Sequence, residues 1–136
     1  MTLTDTGALV ALLDRRQTDH ARCVAALSAI TLPMVTTWPV FAEAMYLLAR
    51  NTGARGRDSL WRLVFTERLL LAALSASATE RSAALMTKYA DRPMDLADAT
   101  LVALAEERDE RQIFTLDNVF TVYRLHGRTK FELIPG

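Results

Sequence analysis

Residues Pro93 to Asp117 read PMDLADATLVALAEERDERQIFTLD, and the placing of their acids decides how the chain is folded. From about Asp95 to Asp109 the stretch is alanine, leucine and valine, broken by Asp98 and closed by a charged tail, which predicts a mostly buried helix. QIFTL is an apolar run of strand length, and Asp117 follows it directly. Asp98 shares a helical stripe with Leu101, Val102 and Ala105 at three- and four-residue spacing, so it points inward. Asp95 stands just ahead of the run. There its side chain is placed to accept from backbone N–H groups two or three residues on, the ordinary N-cap role; a supporting place beside Asp98, one turn away, is the alternative.

Working outward, the same alternation recurs. MTLTD is a short first strand, and Gly7 to Arg15 and Asp19 to Ile30 follow as helices. LPMVTT is a second strand, with Pro33 tolerated at its start and Pro39 in the first turn of the next helix. That helix carries VFAEAMYLLAR and ends near Asn51 and Gly53. Arg57 to Glu67 is helical, RLLLAAL is a strand or a helix tail, and Thr79 to Tyr89 is helical again. After QIFTL a short helical turn follows Asp117, and KFELIPG closes as a last strand. Strands alternating with helices predict an α/β fold, a parallel sheet covered on both faces, with ligands bound beyond the carboxyl ends of the strands.

Composition narrows the class. The 136 residues, 51% hydrophobic, are enough for one domain (1–136) with its own core, and no repeat or low-complexity tract divides them. The single Cys23 has no internal disulfide partner and reads as a small buried hydrophobe, as in a reducing cytoplasm. No secretory leader or bilayer-length apolar run is apparent, so a soluble, cytoplasmic protein without membrane attachment is expected. A formal net charge of zero removes the simplest argument for nucleic-acid binding. The positive charge is nevertheless clustered, at DRR (Asp14 to Arg16), ARGR (Ala54 to Arg57) and YRLHGR (Tyr123 to Arg128). Each cluster suits a phosphate or carboxylate partner, or is simply solvated surface.

On this frame Asp5 closes the first strand, Glu43 lies early in the helix after the second, Asp98 opens its helix and Asp117 follows QIFTL. All four map to one edge of the sheet. Glu43 is the sole charge between Pro39 and Ala49, which places it on or near the buried face. A pair of carboxylates about 4 Å apart repels by roughly 4 kcal/mol at an effective dielectric near 20. Protonation, arginine partners or a bound cation must intervene, and the cation accounts for all four at once. An all-oxygen set favours Mg2+ or Mn2+, which acidify bound water and clamp phosphodiester oxygens. Thr6 and Thr115 stand beside these acids as hydrogen-bond donors to a carboxylate or water; equally, Thr6 reads as a helix cap and Thr115 as a plain strand residue. Asn118 reads likewise, or as a turn former.

Taken in order, LTDTGALVALLD, FAEAMYLL, DLADATLVALAEE and FTLDNVFTVYRLHGR make the chain resemble the PIN-domain family, and within it the VapC-like toxins of bacterial toxin–antitoxin pairs. The resemblance implies a three-layer α/β/α sandwich with about five parallel strands and a magnesium- or manganese-dependent ribonuclease site. It carries ligand roles to Asp5, Glu43, Asp98 and Asp117, with Thr6 and Thr115 nearby, and matches the family's helix acid to Asp98 rather than Asp95. It further implies an RNA substrate, a cognate antitoxin and a homodimer. Family members often have more Asn or Asp around the last motif than the LDNVF present here, which leaves one ion or two open.

Two other classes compete. A receiver-like or phosphatase-like domain would use Asp5 as phosphoryl acceptor with a lysine near a later strand, a place that Lys88 and Lys130 do not match. A non-catalytic PIN-like module would bind RNA or protein without needing the full acidic set. His20 reads as a helix surface residue, and His126, in a basic loop, as a phosphate contact at most. No Ser–His–Asp ordering and no glycine-rich phosphate loop occurs. The aromatic residues Trp38, Phe41, Tyr46, Trp61, Phe65 and Tyr89 fit core packing, and LWRLVFTERLLLAAL also has enough large apolar side chains for a partner surface.

Overall fold

A computed structural model describes residues 1–136. Strand β1 (Thr2–Thr4) leads into helices α1 (Thr6–Leu13) and α2 (His20–Ala26); β2 (Met34–Thr37) into α3 (Trp38–Thr52) and α4 (Ala54–Phe65). Strand β3 (Leu69–Ala72) is followed by α5 (Ala76–Lys88) and α6 (Leu96–Arg108). Then come β4 (Gln112–Phe114), a 3-10 turn (Asn118–Thr121), the two-residue strands β5 (Arg124–Leu125) and β6 (Thr129–Lys130), and β7 (Glu132–Ile134).

The five main strands form one sheet in the order β3-β2-β1-β4-β7, every pair parallel. Helices cover both faces, giving the three-layer α/β/α sandwich. The ambiguous RLLLAAL is a strand, paired with β2 from Met34↔Leu69 to Thr37↔Ala72. Pairing settles what periodicity left open, because an apolar run of that length suits either state. The antiparallel hairpin of β5 and β6 was not anticipated; its turn has positive φ at both His126 and Gly127, outside the common Asn-Gly and Asp-Gly signals.

Several boundaries differ from expectation for local reasons. Helix α1 stops at Leu13, because the Asp14 side chain accepts from Arg16 N–H at 3.1 Å and from Gln17 Nε2 at 3.2 Å, turning the chain. Helix α2 stops at Ala26, short of Ile30. Helix α5 starts at Ala76, with the Ser75 hydroxyl accepting from Ala78 N–H as N-cap. The aromatic set divides: Phe41 and Tyr89 are buried, whereas Trp38, Tyr46 and Phe65 are exposed rather than core.

Helix α6 is buried almost all round, from Ala97 through Ala105 except at Asp98, so it can tolerate charge only at its ends. Buried threonines lock it in place. Thr37, at the end of β2, and Thr100 share a hydrogen bond at 2.8 Å, while Thr36 donates to Thr4 O at 2.7 Å across β1 and β2. The carboxyl ends of the strands and the start of α6 are thereby held together.

The junction of α3 and α4 depends on Gly56. Thr52 Oγ1 accepts from Gly56 N–H at 2.8 Å and donates to Leu48 O at 2.7 Å. A Cβ on Gly56 would lie 2.2 Å from Thr52 Oγ1 and 3.1 Å from Leu48 Cβ. Alanine in a helix interior normally gains about 1 kcal/mol over glycine. Here the overlap reverses the sign: Gly56→Ala is expected to destabilise by about 1–3 kcal/mol in urea unfolding, and a more stable variant would contradict this packing.

Candidate metal centre

A pocket of about 540 Å3 opens at the carboxyl edge of the sheet, lined by Asp5, Thr6, Gly7, Glu43, Leu47, Asp95, Asp98, Leu116, Asp117 and Asn118. The four acids placed there from sequence all line it, as do Thr6, Asp95 and Asn118. Thr115 stands behind it, buried, and touches Asp5 directly.

Asp5 follows β1 and caps α1. Its Oδ1 accepts from Thr6 N–H at 2.8 Å and its Oδ2 from the Thr115 hydroxyl at 2.8 Å, so both oxygens are anchored. The cap of α1 is therefore Asp5, and Thr6 is not one. Asp95 accepts from Asp98 N–H at 2.8 Å as N-cap of α6 and also faces the pocket, so its two alternative roles are compatible. Asp98, half-buried in the first turn of α6, accepts from the Tyr123 hydroxyl at 3.2 Å. Asp117 accepts from Val119 N–H at 3.0 Å and caps the 3-10 turn, while its own N–H donates to Thr115 Oγ1 at 3.0 Å. Thr115 thus links two acids. Glu43 is exposed rather than buried, because α3 begins at Trp38 and sets residue 43 in its second turn, at the pocket wall.

The electrostatics are those of crowded anions. Burial, then repulsion from Asp117 and Asp95, raises the Asp5 carboxyl to about 6 against the opposing pull of the Thr115 and Thr6 hydrogen bonds. Asp98 is raised to about 7, by burial first and then by Asp95 and Asp5. Glu43 is pushed up too; although its side chain is exposed, the pocket wall strips water from it, and Asp95 adds repulsion. Burial and the Asp98 charge raise the Tyr123 phenol, which keeps it a hydrogen-bond donor. No lysine or arginine lines the pocket. Lys88 lies instead over the ring of Tyr89, and Lys130 is in the small hairpin, so neither supplies the lysine of a receiver-like site.

The oxygen-only donor set fits a hard divalent cation. So does the Thr6 hydroxyl, which lines the pocket and is the one buried side-chain polar atom without a hydrogen-bond partner, near Glu43 but outside bonding geometry. No three acids are drawn together closely enough to grip an ion unaided.

Tyr123 is the site residue that sequence reading missed. A buried tyrosine requires an acceptor for its hydroxyl, but nothing local in the sequence marks Tyr123 as buried. The histidines lie elsewhere: His20 is half-buried with Nδ1 against Ala11 O at 2.8 Å, and His126 lines a different cavity with Arg81 and Glu106. Two of the arginine clusters meet, as Arg15, Arg16 and Arg55, joined by Arg62, line a separate cleft of about 900 Å3 at the far end of α1.

Known proteins share the sequence family and the fold. The family model for the PIN domain matches residues 2–124. Ribonuclease VapC26 of Mycobacterium tuberculosis is 33% identical over 134 residues, covering 98% of this chain and 99% of the relative. Among solved structures, the M. tuberculosis toxin VapC20, described as cleaving the sarcin–ricin loop, superposes with a TM-score of 0.82 at 17% identity, covering 90% of this chain and 94% of the other. A toxin–antitoxin complex from Klebsiella pneumoniae superposes at 0.65 with 21% identity, covering 86% and 87%.

The raised carboxyls have a consequence for stability. Folded Asp5 and Asp98 hold protons to about 6 and about 7, higher than in the unfolded chain, so folding takes up protons and stability falls as pH rises through that window. Asp14 and Glu106 are lowered instead, and their stabilisation is lost only at pH below the ordinary carboxylate range, outside this window. In chelating buffer the urea midpoint is expected to drop from pH 5.5 to pH 8, and Asp98→Asn to flatten the drop. A midpoint that rises over this interval would contradict the electrostatic account.

Proposed function

Because the chain belongs to the PIN-domain family, we propose that it is a divalent-metal-dependent endoribonuclease, the toxin of a toxin–antitoxin pair, acting as a single unit of 136 residues. The observation that carries this reading is the pocket itself: Asp5, Glu43, Asp98 and Asp117, from four separate segments, share one cavity that contains no cation of the protein's own.

On this reading Asp5, Glu43, Asp98 and Asp117 hold Mg2+ or Mn2+. The chemistry such a cation supplies is a lowered pKa for water and a counter-charge for the oxygens of a phosphodiester. The chain's own residues arrange for it. Thr115 and the Thr6 N–H keep Asp5 from rotating, and Thr115 at the same time fixes the backbone at Asp117. Asp95 sets the first turn of α6 and so the height of Asp98 in the pocket. Glu43 makes no ion pair in the protein; burial and repulsion from Asp95 raise its carboxyl against the pull of the nearby Thr6 hydroxyl, so a cation is the counter-charge it lacks. Asn118, exposed at the rim, presents an amide to the strand being cut.

A relative's fold occurs in a toxin–antitoxin complex, and here an antitoxin that covers the acidic pocket would silence the chain. The aromatic row Trp38, Phe41, Trp61 and Phe65, in successive contact across α3 and α4 and exposed at Trp38 and Phe65, supports a surface for assembly, including the homodimer. The buried, unpaired Cys23 supports a cytoplasmic setting, and no helix is long and apolar enough to cross a membrane.

Cleavage of a panel of structured RNAs in Mn2+ or Mg2+ tests the reading. Divalent-ion contributions of several kcal/mol imply that chelation or Asp98→Asn lowers the rate by roughly 100-fold or more. Cleavage that persists in chelator, or in Asp98→Asn, would overturn it.

A further inference from the structure

Two buried polar groups at the site lie outside both the acidic set and the pocket lining: Thr115, which holds Asp5, and Tyr123. Tyr123 is completely buried, yet its hydroxyl reaches Asp98 Oδ2. The ring has little freedom. It packs edge-on against Tyr89, with centroids 5.0 Å apart, and against Phe120 at 5.2 Å, and Phe120 is held in turn by Phe131 at 5.6 Å.

The backbone is held just as firmly. Tyr123 immediately precedes the β5–β6 hairpin, whose turn donates the His126 N–H to the Glu106 carboxylate. Arg81 grips that carboxylate with two hydrogen bonds, at 2.8 and 3.1 Å. Glu106 and Asp98 stand on the same helix, two turns apart, about 12 Å along its axis. The segment that carries the phenol is therefore tied to α6 at Glu106, independently of how the Asp98 side chain turns. Asp98 has no other side-chain partner in the protein, so Oδ2 is held and Oδ1 is left for the pocket.

We infer that Tyr123 is a positioning residue for the cation site: its hydroxyl fixes the Asp98 carboxylate so that one oxygen faces the bound ion. The Arg81–Glu106–hairpin clamp sets the phenol in place. This rests on the proposed cation-dependent activity, and it goes beyond that reading by assigning work to a fully buried side chain outside the pocket lining. Outer hydrogen bonds of this kind typically change metal affinity by about 10- to 100-fold.

The test is Mn2+ affinity, read from the electron paramagnetic resonance signal of free Mn2+, for the wild type, Tyr123→Phe and Tyr89→Phe, with thermal melts alongside. Tyr89→Phe removes a hydroxyl from the neighbouring ring that does not bond Asp98. The expected result is wild-type binding, a cooperative melt for Tyr123→Phe with affinity reduced about tenfold, and Tyr89→Phe within about twofold of wild type. Equal affinity in Tyr123→Phe, or an equal loss in Tyr89→Phe, overturns the inference while leaving the ribonuclease reading intact. Absence of Mn2+ binding by the wild type overturns both. Should Tyr123→Phe not fold, fluorine resonances of 3-fluorotyrosine-labelled wild-type protein decide: a Tyr123 line that moves on Mg2+ addition supports the role, and one that stays fixed while Mg2+ binds refutes it.

Discussion

Mutual repulsion among carboxylates is the constraint around which this molecule is organised. Asp5, Glu43, Asp95, Asp98 and Asp117 surround one cavity whose walls contain no lysine or arginine, and burial raises the cost of charge at Asp5 and Asp98. Neutral donors hold what charge pairs would normally hold: the Thr115 hydroxyl on Asp5, the Tyr123 hydroxyl on Asp98, and helix-start N–H groups on Asp5, Asp95 and Asp117. Such donors orient a carboxylate without neutralising it. The pocket keeps its deficit of positive charge, and the proposed cation would make that deficit good.

The parallel sheet is what makes the arrangement possible. With all five strands running the same way, their carboxyl ends share one edge, and the chain enters helices α1, α3 and α6 from that side or close to it. Helix N-termini bear partial positive charge, which eases the crowding of acids over the last ångströms without quenching it. Central β1 lies between β2 and β4, so Asp5 sits in the middle of the edge, and the β4 exit brings Thr115 within hydrogen-bond reach of it. The threonine ties from β2 to α6 and from β2 to β1 keep these parts from sliding. The cost of gathering like charges is met by the apolar core beneath, and α6, buried on nearly all sides, contributes to both.

Much of this was legible in the sequence because a charge inside an apolar run has few physical explanations. Asp98 within LADATLVALA and Glu43 within VFAEAMYLL marked the pocket, and the strand-then-acid pattern placed Asp5 and Asp117. Glu43 was placed too deep, since spacing identifies a face of a helix but not how far that face is covered. The third strand stayed ambiguous because LLLA satisfies either period, and only its pairing with β2 decides. The hairpin and Tyr123 were not legible. The hairpin rests on a His-Gly turn with positive φ and on Glu106, twenty residues upstream, while the Tyr123 partner lies 25 residues away on another element. Long-range polar pairs leave no local pattern.

The most direct measurement of the central claim is the number of protons displaced when Mg2+ binds, from calorimetry in buffers of different ionisation enthalpy. Carboxyls that hold protons to about 6 and about 7 must release them when a cation takes their place. Proton release is expected near pH 6 and fades by pH 8. Binding whose heat is independent of buffer near pH 6, or no binding at all, would contradict it.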